Sequence, residues 1–333
     1  MPEPSLWVLI TIIIMALGFG IVNGFNDAAN AIATVIGTRT LSPRNAIIMA
    51  AFFNLAGAAT GTAVARTIGK GILIPEAISY QTVVAALGAV IVWTTLATYR
   101  GLPVSLTHGF VAAMAAAGMA AVGTGAVNWG VLGKVASAVV TAPVAGFIGG
   151  FAFMVLILWV FRRSIPAKVR SIFGNAQIAS SAFMAYSHGK NDGQMPIGII
   201  TMAFVLYTGQ TEMWDSIPWW IILISALSIS AGTTIGGWRV IKTLGMRVTN
   251  LRPVHGFAAE ASAASVIEVA SHLGIPVSTT HCISSAVMGV GATRRLSAVR
   301  WGVAGNIVTA WVITFPVCGG LGYFFSWLIG IFT

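Results

Sequence analysis

Residues 101–108 read Gly101-Leu102-Pro103-Val104-Ser105-Leu106-Thr107-His108, and residues 274–281 read Gly274-Ile275-Pro276-Val277-Ser278-Thr279-Thr280-His281. Each octet interrupts an apolar run with a Gly-x-Pro step, after which Ser and Thr suit the N-terminus of a following half-helix. A second motif also occurs twice, as Gly24-Phe25-Asn26-Asp27-Ala28-Ala29-Asn30 and as Gly189-Lys190-Asn191-Asp192-Gly193-Gln194. Asn and Asp favour caps over helix interiors, so this motif too is expected to break its helix. A weaker echo, Arg66 to Lys70 against Arg239 to Lys242, lies between the two. Pro103 and Pro276 stand 173 positions apart and Asp27 and Asp192 stand 165 apart, so the order is kept with a small insertion. The chain reads as a duplication of one unit of about 160 residues. We assign residues 1–161 to the first repeat, 172–333 to the second, and 162–171 to a basic connector.

Outside these motifs the chain is strongly apolar. Of its 333 residues only 8% are charged and 57% are hydrophobic, whereas soluble domains carry roughly 25% charged residues. Runs 4–26, 45–65, 77–99, 101–133, 135–161, 216–238 and 301–333 contain no Asp, Glu, Lys or Arg, and about 20 apolar residues cross a bilayer as a helix. This predicts an all-α polytopic membrane protein with about 10–12 membrane segments, some of them broken helices or re-entrant hairpins. A β-barrel is excluded, because its segments alternate apolar and polar residues. The 38 glycines allow close helix packing. Cys282 and Cys318 have no metal-ligand spacing to the histidines and read as free thiols. The N-terminus lacks the basic region of a secretory signal, so the first apolar run reads as a retained span.

The net charge of +10 fits the accumulation of Lys and Arg in cytoplasmic loops rather than a nucleic-acid partner. The connector holds Arg162, Arg163, Lys168 and Arg170, and the segments 239–252 and 294–300 are also basic, while 208–217 carries Glu212 and Asp215. First-half equivalents show the opposite balance, which implies repeats of inverted topology. With both termini outside, 14 of the 18 basic residues fall in the cytoplasm. Inverted repeats with broken helices are typical of secondary transporters, whose sites lie where the repeats meet.

Asp27, Asp192, Glu260 and Glu268 lie in apolar surroundings, where a carboxylate costs about 2.5–3.5 kcal/mol. Asp27 and Asp192, flanked by Asn26, Asn30 and Asn191, suit a cation such as Na⁺, which takes carboxylate and amide oxygens. A plain pair of helix caps would use Asn or Ser at lower cost. The Ser-x-Thr-His motifs suit an anion, because half-helix N–H groups and hydroxyls bind one without Lys or Arg. Ser105, Thr107, Ser278, Thr279 and Thr280 are the substrate candidates, with Gln194 and Asn30 adding amides. His108 and His281 are expected to orient the breaks by hydrogen bonding. A Ser/His hydrolase is a remote alternative, which the symmetric duplication disfavours.

At these residues the sequence resembles the inorganic phosphate transporter (PiT) family of cation-coupled phosphate permeases. The resemblance rests on Gly24 to Ala31, His188 to Gln194, Pro103 to His108 and Pro276 to His281, and it covers nearly the whole chain. A Gly-Phe-x-x-Glu segment of the family matches Gly256 to Glu260, which implies that Glu260 belongs to the cation site. Phe25, Asn54, Lys190 and Met195 depart from the family pattern. The chain is similar to short prokaryotic members. The resemblance implies a Na⁺- or H⁺-coupled symporter of the cell membrane that imports inorganic phosphate by alternating access. It also implies a homodimer, with sulfate transport as the alternative within the family. No enzyme activity and no cofactor other than the co-transported ion are expected.

Overall fold

The computed structural model describes residues 5–332 and is helical, with one isolated antiparallel bridge, Leu73 to Val127, and no β-strand among the described residues. Four helices are long and apolar enough to cross a membrane singly: α1 (Leu6–Gly37), α4 (Tyr80–Tyr99), α6 (Trp129–Val160) and α13 (Trp301–Phe332). At about 1.5 Å per residue, a 32-residue helix exceeds the roughly 30 Å hydrocarbon layer and projects beyond it. Exposed Trp7, Trp129, Trp219 and Trp301 stand at or next to helix starts, as aromatic rings do at a membrane surface. The reading of residues 1–4 lies outside the described residues.

Two bent helix pairs are apolar enough to form a broken span or a re-entrant loop each. α2 (Pro43–Ala58) meets α3 (Ala63–Lys70) at 72°, and α9 (Trp219–Ile235) meets α10 (Trp238–Lys242) with its π-turn to Arg247 at 63°. Gly61 and Gly236 hold positive φ of 123° and 69° at these joints, angles that L-residues with side chains rarely adopt. The remaining helices are α5 (Leu106–Val122), α7 (Pro166–Asp192), α8 (Gln194–Thr208), α11 (Pro253–His272) and α12 (Thr279–Ala292). Gly101 and Gly274 also have positive φ, and the Pro-Val-Ser segments that follow them turn the chain from α4 into α5 and from α11 into α12. Those breaks match the sequence reading. The Asn-Asp motif does not behave as expected in both places. α1 runs unbroken through Asn26 and Asp27, because their side chains find partners on other helices instead of capping, whereas α7 does end at Asp192.

Helices from the two ends of the chain interleave: α5 packs on α13, α12 on α6, α11 on α7, α1 on α9 and α2 on α7. Glycine brings several of these backbones into contact. A Cβ on Gly24 would strike the Ile229 carbonyl of α9, and one on Gly232 would strike Ile21 of α1. A Cβ on Gly189 would likewise strike Asn54 of α2, and one on Gly57 would strike Tyr186 of α7.

Two large apolar cores result, with two small clusters beside them. One gathers Leu9, Phe19, Phe110 and Ile199, the other Ile32, Met184, Ile267 and Cys282. α1 belongs to one core up to Phe19 and to the other from Ala28 on, and the α7–α8 junction changes cores in the same way. The polar stretches 23–27 and 187–194 therefore fall on the seam.

Candidate functional site

Four elements reach the seam: α1, the α7–α8 junction, and the N-termini of α5 and α12. Ser105 caps α5 by accepting from the His108 N–H at 3.2 Å, and Ser278 caps α12 by accepting from the His281 N–H at 3.1 Å. These caps free Thr107 and Thr280, one or two positions into each helix, to reach across the chain. Thr107 donates to Asp192 Oδ1 at 3.2 Å, and Thr280 donates to Asp27 Oδ1 at 3.0 Å. Thr279 donates to Asp192 Oδ2 at 2.7 Å. Asn30 donates to the hydroxyls of Thr279 and Thr280 at 3.1 and 3.0 Å. Asn191 donates to Asp192 at 2.7 Å and to the Val277 carbonyl at 2.8 Å. Asp27 and Asp192 are both buried, as are all these partners.

Between the carboxylates stands His188. Its Nε2 lies 3.1 Å from Asp192 and 3.8 Å from Asp27, and the ligand atoms of the three residues lie within 4.8 Å of one another. Its Nδ1 faces Asn54 Oδ1 at 2.8 Å, and Asn54 Nδ2 donates to Thr233 at 2.9 Å. In the sequence His188 stands out only as part of a motif, and Asn54 only as a departure from the family pattern. The signal that links them, a ring flanked by carboxylates from two helices, exists only after folding.

The donor set fits a hard cation. The Oδ1 atoms of Asn26 and Asn30 are buried without a hydrogen-bond donor among the described residues, and such acceptors are rarely left unmatched. Asn26 uses its amide nitrogen on Thr98, which leaves that oxygen free to ligate.

Other expected site residues lie elsewhere. Glu260 is buried away from this cluster, bonded to Thr34 of α1 and Ser180 of α7 and reached by Gln177 Nε2 at 3.4 Å. Gln194 has its carboxamide committed: Oε1 accepts from Val64 and Ala65 at the start of α3, at 2.8 and 3.2 Å, and Nε2 donates to the Lys190 carbonyl at 2.7 Å. It caps a half-helix, so no free amide is left for an anion in this arrangement. Lys190 pairs with Glu268 of α11 instead of approaching Asp192. The ring nitrogens of His108 and His281 make no hydrogen bond among the described residues, contrary to expectation. Instead the rings meet edge-on at 4.9 Å and stack on Phe315 and Trp311, because the helix caps use only the histidines' backbone.

The phosphate transporter family profile matches residues 23–322, which include all four site elements. The chain belongs to that family. The transporter is 42% identical over 315 residues to a Bacillus subtilis (strain 168) protein described as a probable low-affinity inorganic phosphate transporter, covering 94% of both chains. It is 41% identical to a protein of the same description from Rhizobium meliloti (strain 1021), covering 92% of both. A solved structure, "The sodium-dependent phosphate transporter", superposes with a TM-score of 0.92 at 28% identity, covering 98% of the transporter and all of that chain. The transporter is thus a multi-pass membrane protein and not an enzyme.

Proposed function

We propose that this transporter imports inorganic phosphate together with Na⁺ across the cell membrane by alternating access. The observation that carries the reading is the mirrored pair Thr107–Asp192 and Thr280–Asp27, which joins each half-helix N-terminus to the acidic residue of the other half. A phosphate brings one or two negative charges into a site with no Lys or Arg among its named groups, so co-bound cations must offset them. Asp27 with Asn26 and Asn30, and Asp192, are the two cation candidates; Asn191, expected beside Asp192 as a ligand, instead donates to it while its Oδ1 accepts from Ser271 and Val277. Neutral amide oxygens coordinate a metal ion but do little for proton exchange, which favours Na⁺ over H⁺. Lys190 does not compete for this role, because Glu268 holds it.

The phosphate would take the hydroxyls of Thr107, Thr279 and Thr280 and the N–H groups that Ser105 and Ser278 leave exposed in the first turns of α5 and α12. The threonines then exchange a carboxylate acceptor for a phosphate one while the cations satisfy the carboxylates. Glu260, with Thr34, Ser180 and Gln177, forms a separate polar pocket beside α1 that suits a third cation or a proton.

The paired elements also support two repeats joined by the basic connector, and the distribution of Lys and Arg favours inverted topology with both termini outside. Counterpart bends, counterpart caps and counterpart glycine contacts recur 165 to 175 positions apart.

Uptake of labelled phosphate into proteoliposomes tests the proposal. Accumulation should require an inward Na⁺ gradient, should not respond to K⁺, and should resist excess sulfate. Uptake driven only by a pH gradient would make this a proton symporter, and competition by sulfate at equal concentration would make it a general oxyanion permease.

A further inference from the structure

A group of arginines lies far from the seam, where α6 ends and α7 and α11 begin. A cavity of about 650 Å³ opens there, with Arg162, Arg170 and Arg252 on its wall. None of the three pairs with a carboxylate among the described residues. The guanidinium of Arg162 sits 4.9 Å over the ring of Trp159. Stacking leaves the edge of an arginine, with its paired donors, free for an oxyanion.

The backbone adds to this charge. Pro166 opens α7 and Pro253 opens α11, and both residues line the cavity. Neither helix carries an acidic residue in its first turn, and the residue before α7, Ile165, provides no side-chain cap. Two positive helix ends therefore converge on the same space as three guanidinium groups, an arrangement that attracts anions.

The rest of the wall identifies the kind of anion. Ile157, Leu158 and Phe161 make it apolar on the side of α6, with Val169 of α7 and Val254 of α11 adding to the apolar wall, and Leu158 and Val160 are about half exposed, on a helix that crosses the membrane. A free inorganic anion gains nothing from such a wall, whereas acyl chains do. We propose that this cavity holds the phosphate headgroup of an anionic phospholipid, with its acyl chains lying along the last turns of α6. Basic pockets between membrane helices take headgroups for this reason.

Native mass spectrometry of the intact transporter, released from mixed phosphatidylglycerol and phosphatidylcholine, tests the site. Phosphatidylglycerol should be retained preferentially. The preference should fall roughly fivefold for each of Arg162→Gln, Arg170→Gln and Arg252→Gln, and about a hundredfold for the three together. Val254→Trp, which keeps every charge but fills the cavity, should lose the lipid as well. Glycerol phosphate and inorganic phosphate at millimolar concentration should not displace it. Equal retention by parent, triple variant and Val254→Trp would overturn the proposal. Displacement by inorganic phosphate would also overturn it and assign the cavity to the free anion.

Discussion

Thr280 donates its hydroxyl to Asp27 at 3.0 Å across 253 residues of sequence, and so ties the first turn of α12 to the middle of α1. The same hydroxyl accepts from Asn30. Thr280→Val keeps the shape and removes both partners. A hydrogen bond to a charged group contributes roughly 1.5–3 kcal/mol, so Na⁺-dependent phosphate binding should weaken more than tenfold by calorimetry or intrinsic Trp fluorescence. Parental affinity in Thr280→Val would place the substrate elsewhere.

Asp27→Asn and Asp192→Asn each keep an oxygen that can accept from threonine but remove the charge. Gradient-driven uptake should be lost in both, while each variant still reaches the membrane and elutes as the parent does on size exclusion. Full transport by either would remove that carboxylate from the cation site.

Lys190→Ala should leave the Na⁺ dependence of phosphate binding unchanged, since Glu268 holds the ammonium away from Asp192. The pair is partly exposed, so its loss should cost less than about 1 kcal/mol of stability. An altered Na⁺ requirement at fixed ionic strength would show that Lys190 reaches the site in another state of the cycle.

Gly189→Ala should destabilise the fold by about 1–3 kcal/mol, because the added methyl meets the Asn54 backbone of α2 rather than a side chain that can turn away. Gly18→Ala, in open space on α1, is the control and should melt like the parent. Equal melting temperatures for the two variants would mean that α2 and α7 yield more easily than their contact implies.

Orientation can be tested without transport. A cysteine at exposed Lys168, on the basic connector, should be labelled from the cytoplasmic side, and one at exposed Thr211 from outside. The reverse labelling would overturn the distribution of Lys and Arg as a guide to topology here.

The helical class, the Gly-x-Pro breaks and the acidic pair were legible because they depend on local chemistry: glycine angles, proline sterics, and the cost of a carboxylate in an apolar run. The partners of those groups were not. His188 bridges Asp27 and Asp192 only because α1 and α7 meet, and Gln194 acts as a cap only because α3 begins against α8. Asn26 and Asp27 were misjudged as a helix break for the same reason, since nothing near them in sequence announces Thr98 or Thr280. Glu260 was read as a member of the cluster from its motif, whereas its neighbours Thr34, Ser180 and Gln177 come from two other helices.

The glycine contacts have a mechanical consequence. Where main chain touches main chain, no layer of side-chain rotamers remains to absorb sliding, so α1 has to carry α9 with it and α7 has to carry α2. Each of these two-helix blocks holds one aspartate on one member and ends in a bent glycine joint on the other, at Gly236 for the first and Gly61 for the second. Under the proposed cation binding, an ion on an aspartate would therefore pull on a whole block, and because Gly37 and Gly245 also bring α1 against the chain beyond Gly236, the pull would reach past that joint as well.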